Sequence, residues 1–350
     1  MNRSRISHCL AIVATAATIV AVMARPIAAQ VSVNGNAASA IDDVLLLRLF
    51  GVLSNDSMQG RRIASPGGLR ARGALLSELV RLSVAPMVPG YVQTFSAVPS
   101  VALNVEPAEF GFGSRPLLGQ STGTRRGPAS AVIGTNVLGV VKGTAHPERY
   151  IVVSAHYDHI GIYAGQLMPG ATDNASGAAA LMAIADLLVL APPKNSVILA
   201  WFDGEEYGRL GSRAFLDRPP VPIKQIVANV NLDMLSRSDE GGLTVVGEGP
   251  YPAIRPVLDS IALTGLVKMK PGHDGRDVAE DYYRRSDQWS FHSRDIPAWL
   301  LTSGDFIDLH LKTDTAERAN VAFFVRATAG AAEFVRRLDE MYDDLFPKRR

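Results

Sequence analysis

Cysteine is nearly absent from this sequence of 350 residues. The only one, Cys9, lies among the first ten residues. Scaffolds stabilised by disulfides need several cysteines, so this class of protein is excluded. Stability must therefore come from a buried core or from a bound metal, and a hydrophobic fraction of 47% is sufficient for a large core.

An excess of positive charge is also missing. The formal net charge is +1 at pH 7, and removal of the three arginines near the N-terminus, Arg3, Arg5 and Arg25, would change it to −2. A near-neutral chain lacks the basic face that binding to a phosphate backbone requires. We therefore expect no nucleic-acid partner.

No apolar run near the N-terminus is long enough for a membrane span. The chain begins with two arginines, continues with an apolar run over residues 10–24, and then carries the small residues Ala28 and Ala29. This pattern is typical of a signal peptide, because a span requires about 20 apolar residues. We predict a signal peptide over residues 1–29 and export to the periplasm or the extracellular space, without stable membrane insertion afterwards. An uncleaved anchor is the alternative.

Apolar, β-rich runs alternate with helical segments in the second half of the chain. This alternation predicts an α/β fold with a mostly parallel, twisted sheet between helix layers. The predicted strands cover residues 151–155, 197–202, 226–232 and 297–302, and the predicted helices cover residues 176–190, 252–263 and 321–342.

Long linkers are missing between these elements. Residues 30–350 are therefore predicted to form a single domain. Its N-terminal part, residues 30–100, is predicted to be mainly helical, and residues 130–345 are predicted to form the metal-binding α/β core. A Gly-, Pro- and Arg-rich interval over residues 110–128 is interpreted as a loop.

Metal-capable side chains follow the predicted strands. Ligands bind beyond the carboxyl ends of the strands in sheets of this kind, so these side chains should meet at one edge. Two histidines and several carboxylates suit zinc or a similar divalent ion. The candidates are His156, Asp158, Asp173, Glu205, Glu206, Asp233 and His310.

Five ligands around one shared carboxylate would form a two-metal site. Asp173 suits the shared position, because a residue in a Gly-flanked turn at a helix start can present both oxygens. The adjacent acids of "GEEYG" point in different directions, so one can bind metal while the other acts as a general base on water. Asp158 is placed to accept the second N–H of the His156 imidazole.

Six motifs follow one another along the chain: "SAHYDHIG", "PGATDNASG", "FDGEEYGRLGS", "NLDM", "YYRRSDQWSF" and "LHLKTDT". In their order and spacing they resemble the cocatalytic zinc aminopeptidase family, a family of zinc exopeptidases that includes secreted bacterial leucine aminopeptidases, glutamate carboxypeptidase and glutaminyl cyclase. The resemblance covers most of the chain after residue 29.

This resemblance implies two zinc ions per chain, held by five ligands that share Asp173. It also implies that Glu205 is the general base, that Asp158 orients His156, and that Tyr283 stabilises the oxyanion. The implied ligands are His156, Asp173 and Asp233 for one zinc, and Asp173, Glu206 and His310 for the other.

Hydrolysis of the N-terminal bond of peptide substrates is the activity that the resemblance implies. Three alternatives stay open: a carboxypeptidase or dipeptidase with the same metal chemistry, a glutaminyl cyclase-like acyltransferase, and a non-catalytic binding protein.

We interpret His159 as a loop residue or a residue behind the ligands. Arg284 and Arg285 are interpreted as binding either a substrate carboxylate or a structural partner.

Overall fold

Four apolar strands form the centre of a sheet that has nine strands within the described part of the computed structural model. They lie in the order β7, β4, β8, β11 (Asn195–Phe202, His146–His156, Ile226–Leu232 and Ala298–Thr302), and each neighbouring pair is parallel. Their residues are almost all buried, apart from the first half of β4. Near-continuous apolar runs of this kind are typical of parallel strands that are covered on both faces.

The flanking strands are antiparallel to this centre. β3 (Val132–Val141) pairs with β7 and carries β1 and β2 (Ala85–Pro86 and Val92–Ala97), while β9 (Gly242–Val246) pairs with β11. β10 (Lys268–Pro271) is parallel to β9. Outside this sheet, β5 (Gly161–Tyr163) and β6 (Gln166–Met168) form an antiparallel hairpin. The prediction of a mostly parallel sheet is therefore confirmed for its centre, whereas the N-terminal part contributes two strands besides its helices.

Helices cover both faces of the sheet, as predicted. Side chains alternate between the faces along each strand. The helices are α1 Asp43–Leu53, α2 Pro66–Arg81, α3 Gly177–Leu190, α4 Leu210–Asp217, α5 Arg255–Ala262, α6 Gln288–His292 and α7 Val321–Leu345. In β4, Ile151 and Val153 belong to a cluster with α1, α2, α3, α5 and α7, and Val152 belongs to a second cluster with Phe215 of α4 and Phe291 of α6.

The structure describes residues 41–99, 130–238, 240–274, 281–304 and 306–347. The predicted signal peptide and the predicted loop over residues 110–128 lie outside these ranges. Among the described residues, one helical stretch, Ala171–Leu190, is long and apolar enough to cross a membrane, and 83% of its most apolar window is buried inside the protein. A buried core helix of a folded domain can be equally long and apolar. This agrees with the position of α3, whose residues belong to the core cluster on one face of the sheet.

The strand ends are aligned at one edge. His156 at the end of β4 pairs with Phe202 at the end of β7, and Leu232 at the end of β8 pairs with Leu301 of β11. The residues that follow these positions therefore leave the sheet side by side. This alignment brings distant parts of the chain to one place.

Arg61 connects the N-terminal segment to this edge. Its guanidinium is fully buried and donates to four backbone carbonyl groups at 2.7–2.8 Å, those of Leu53, Tyr157, Pro169 and Gly170. Burial lowers the pKa of Arg61 to about 10, so the side chain stays charged at neutral pH.

Replacement of Arg61 by methionine should destabilise the fold strongly. Four buried carbonyl groups would lose their donor, and removal of one partner from a buried charged network costs about 3 to 5 kcal/mol. Urea unfolding measures this loss. Arg70→Met is the matched control, because exposed Arg70 donates to a single carbonyl group and should cost less than about 1 kcal/mol. Equal losses in the two variants would contradict the prediction.

Candidate metal centre

All seven side chains predicted at the strand ends lie close to one another and are buried. They are His156, Asp158, Asp173, Glu205, Glu206, Asp233 and His310, and none exposes more than 8% of its surface. His156 ends β4 and Asp158 follows it; the two glutamates follow β7, Asp233 follows β8, and His310 lies in the loop after β11. The turn before α3 supplies Asp173, so the structure assembles the predicted set from five separate parts of the chain.

The first group of ligand atoms surrounds His156. Its Nε2 atom lies 3.3 Å from Oδ1 of Asp173 and 3.3 Å from Oδ1 of Asp233. The three atoms lie within 4.8 Å of one another. These are the three residues that the resemblance assigns to one zinc.

The second group surrounds the other oxygen of Asp173. Nε2 of His310 lies 3.0 Å from Oδ2 of Asp173 and 3.2 Å from Oε2 of Glu206. Asp173 thus turns one oxygen toward His156 and the other toward His310. This arrangement is what a shared carboxylate requires.

The turn that carries Asp173 is held by a residue that the sequence analysis missed. The carboxylate of Asp314 accepts hydrogen bonds from the backbone N–H groups of Thr172 at 2.9 and 3.0 Å and of Asp173 at 3.1 Å. Asp314 lies in the quoted motif "LHLKTDT", four residues after His310. A second acid beside a proposed ligand was therefore the signal that could have revealed it.

Glu205 lines the same cleft as the ligand carboxylates. Among the described residues, the groups with donor atoms within 4.8 Å of one another are His156, Asp173 and Asp233, and His159, Asp173 and Glu206; Glu205 belongs to neither. Its backbone N–H donates to Oδ1 of Asp158 at 3.0 Å. The His156 imidazole lies 3.2 Å from the carbonyl oxygen of Asp158, through Nδ1, and 3.6 Å from the carboxylate Oδ1. Asp158 therefore contacts both the candidate base and the first histidine, with its backbone closer to the imidazole than its carboxylate.

The predicted oxyanion residue Tyr283 lies beside this cleft rather than in its described lining. Its ring packs against Trp289 and His292, and burial raises the pKa of its hydroxyl well above the ordinary value. The adjacent Tyr282 lines the cleft instead. The predicted role of Tyr283 stays a prediction, and Tyr282 is the tyrosine that the structure brings to the carboxylates.

Charge is balanced inside this centre by the imidazoles. Burial lowers the pKa of His310, but the carboxylates of Glu206 and Asp173 outweigh burial and raise it to about 10. Burial and Asp173 both raise the pKa of Glu206, yet His310 and His159 outweigh them and lower it to about 2. The carboxylates therefore attract cations strongly.

Protein stripped of metal by a chelator should lose stability as the pH rises from 7 to 10. A histidine whose pKa is raised from the ordinary value of about 6.5 stabilises the fold fully below that value and loses this contribution as the pH approaches the raised one. Thermal unfolding across this range tests the expectation. The unfolding temperature should fall less steeply with pH in metal-free His310→Gln than in the metal-free wild type. Equal slopes in the two proteins would contradict the prediction.

The spacing of the donor atoms is at or slightly below the spacing expected around zinc. Ligand atoms about 2.0 to 2.2 Å from a tetrahedral zinc lie roughly 3.3 to 3.6 Å from one another. The contacts of His156 and His310 with the carboxylates measure 3.0–3.3 Å. Imidazole nitrogens and carboxylate oxygens are also the donors of catalytic zinc sites.

The sequence pattern of Peptidase family M28 matches residues 136–335, more than half of the chain. This chain belongs to peptidase family M28. The predicted resemblance to zinc aminopeptidases is thereby confirmed, since the match contains all five candidate ligands and the candidate base.

Curated relatives of this M28 chain include aminopeptidases of two bacteria. Aminopeptidase YwaD of Bacillus subtilis is 30% identical over 256 residues, which are 68% of this chain and 52% of YwaD. An aminopeptidase of Pseudomonas aeruginosa is 36% identical over 105 residues, which are 30% of this chain and 19% of that protein. The matches thus span about half or less of these relatives.

Solved structures share the fold of this M28 chain. The zinc aminopeptidase BSAP of Bacillus subtilis superposes with a TM-score of 0.64 at 16% identity, over 85% of this chain and 95% of BSAP. A leucine aminopeptidase precursor of Bacteroides thetaiotaomicron gives a TM-score of 0.60 at 14% identity, over 85% of this chain and 97% of that one. At these identities the likeness concerns the fold, and it confirms the predicted zinc exopeptidase-like architecture.

Proposed function

We propose that this chain is a zinc-dependent aminopeptidase that hydrolyses the N-terminal bond of peptides. The position of Asp173 supports this proposal most, because its two oxygens face two separate sets of an imidazole and a carboxylate. An inactive binding protein would have no need to keep both sets together with an acid beside them. Relatives that are named aminopeptidases support the same function.

Two zinc ions would be held by the five ligand residues, with Asp173 between them. When bound, the metal would lower the pKa of a water molecule and polarise the scissile carbonyl group. The ligand sets proposed for the ions are His156, Asp173 and Asp233 for one, and Asp173, Glu206 and His310 for the other.

Glu205 would act as the general base. Its carboxylate accepts a proton from the attacking water, whose oxygen forms a bond with the carbonyl carbon of the substrate. The protonated Glu205 then gives this proton to the amine that leaves as the C–N bond breaks. Asp158 supports this role by accepting the hydrogen bond of the Glu205 backbone N–H, which fixes the start of the "EE" segment.

Hydrolysis of leucyl-p-nitroanilide tests the proposal directly. Activity should disappear after chelation, return with zinc, and be lost when the substrate amine is acetylated, because an aminopeptidase requires a free N-terminus. Metal analysis of the same preparation should give two ions per chain. Hydrolysis of the acetylated substrate at the same rate would contradict aminopeptidase activity.

A dipeptidase or carboxypeptidase is the second candidate, and Arg285 favours it. This residue lines the same cleft as the ligand carboxylates, where a guanidinium can bind the C-terminal carboxylate of a short peptide. Under this alternative, Arg285→Gln should raise KM for a dipeptide about tenfold or more, since a hydrogen bond to a charged group contributes roughly 1.5 to 3 kcal/mol. KM for leucyl-p-nitroanilide, which lacks that carboxylate, should change little.

Export is also proposed, on the basis of the basic start and apolar run of the N-terminal segment. Mass spectrometry of protein secreted by an expressing bacterium should find an N-terminus near Gln30. Protein that keeps Met1 and is recovered only from membranes would contradict cleavage and favour an anchor.

A further inference from the structure

His159 is buried against the second group of ligand atoms. It lies three residues after His156, and its side chain is fully enclosed. Its Nδ1 atom is 2.7 Å from Oε1 of Glu206, while Nε2 of His310 approaches the other oxygen of the same carboxylate at 3.2 Å. Glu206 is thus held from both sides, by one histidine at each oxygen.

The distances distinguish the roles of the two histidines. Two ligands of one tetrahedral zinc lie about 3.3 to 3.6 Å apart, and His310 comes close to this spacing with both Glu206 and Asp173. The contact of His159 with Glu206 is shorter, at 2.7 Å, and its distance to Oδ2 of Asp173 is longer, at 3.9 Å. The shorter contact has the length of a charge-assisted hydrogen bond. A carboxylate only accepts, so the proton must lie on Nδ1.

The backbone beside His159 leaves space for this ring. Gly170 has a φ of +62°, and a Cβ at this position would lie 2.3 Å from Cγ and 2.4 Å from Cδ2 of His159. The ring therefore packs directly on the turn that leads to Asp173. Its orientation toward Glu206 is set by the same turn that presents the shared ligand.

We propose that His159 is a positioning residue that holds Glu206 in a one-oxygen binding mode. The hydrogen bond to Oε1 leaves Oε2, which faces His310, as the oxygen that can bind metal. The inference rests on the proposed zinc site, and it adds a residue to that site that binds no metal itself. Hydrogen-bond partners of ligands typically change metal affinity by about 10- to 100-fold.

Zinc titration of three variants against a competing chelator tests this role. His159→Leu should weaken one of the two zinc ions by about 10- to 100-fold. His159→Asn should recover most of this affinity, because its amide N–H can take the place of Nδ1–H. His146→Leu, at a half-exposed position on β4 beside Asp343, is the matched control and should bind both ions as the wild type does. Circular dichroism of the metal-free variants confirms that each one folds.

Cobalt substitution separates positioning from direct binding. If His159 positions Glu206, the visible absorption of the cobalt-loaded protein should be retained in His159→Asn. A spectrum that changes equally in His159→Asn and His159→Leu would identify His159 as a ligand and overturn the proposal. Unchanged zinc affinity in His159→Leu would overturn it as well.

This outcome is independent of the proposed activity. Zinc affinity that depends on His159 supports the inference even if leucyl-p-nitroanilide is not hydrolysed. Conversely, if the wild type is active but zinc affinity is unchanged in the His159 variants, the proposed function stands and this inference is wrong.

Discussion

Replacement of Glu205 by glutamine should reduce kcat by about 10²- to 10⁴-fold while KM stays close to that of the wild type. This loss corresponds to roughly 3 to 5 kcal/mol of barrier. The amide has the same shape as the carboxylate but cannot accept the proton of the attacking water. Because Glu205 belongs to neither group of ligand atoms, the variant should keep its full metal content.

Glu206→Gln is the matched control for this experiment. Its carboxylate lies 3.2 Å from His310 and belongs to the second ligand group. The control should therefore lose affinity for one ion, and added zinc should restore part of its activity. If Glu205→Gln loses an ion while Glu206→Gln keeps both, the two roles are reversed, although membership of the family would be unaffected.

Replacement of Asp173 by alanine should remove more metal than replacement of any other single ligand. Its oxygens face His156 and His310 separately, so the change takes a ligand from both proposed ions. Elemental analysis should find His156→Ala and His310→Ala each reduced mainly in one ion and Asp173→Ala reduced in both. Hydrolysis of leucyl-p-nitroanilide by Asp173→Ala should fall below detection.

The stoichiometry of the wild type decides how this result is interpreted. Two ions per chain in the fully loaded wild type are expected. A single ion would contradict the shared role of Asp173, even if Asp173→Ala were inactive. Asp217→Ala is the control for this experiment, because Asp217 lies at the exposed end of α4, and it should leave the metal content unchanged. A buried residue such as Asn195, whose side chain donates to Asp339, would not serve, because its replacement would disturb the core.

The central strands and the ligands could be predicted because their signals are local. Residues 226–232 were predicted as a strand and form β8 with the same bounds, since an apolar run between polar breaks is visible in sequence. The predicted helix over residues 252–263 is shorter in the structure, where α5 begins at Arg255 after a single 3-10 turn. His156 ends β4, and Glu206, Asp233 and His310 come after β7, β8 and β11, so their common edge follows from the order of the strands. Asp173 instead comes directly before α3.

Other features depend on partners that are distant in the chain. Asp314 lies more than 140 residues from the amide groups that donate to it. Its place four residues after His310 marks it as a residue near the site, but nothing close to it in the sequence indicates these partners. The antiparallel pairing of β3 with β7 and of β9 with β11 also depends on contacts between sequence-distant strands. The short helix α6 spans five residues, too few for a helical period to be recognised.

Arg61 has a consequence for the smallest part of the chain that can fold. The family match begins at residue 136, yet the guanidinium that binds the carbonyl groups of Tyr157, Pro169 and Gly170 comes from residue 61. A fragment that started at residue 130 would also lack α1, which packs on α3 in the same apolar cluster. The segment that the family match covers is thus smaller than the part of the chain that packs together, and we expect that truncation for crystallisation or expression must retain the segment from Ile41 onwards.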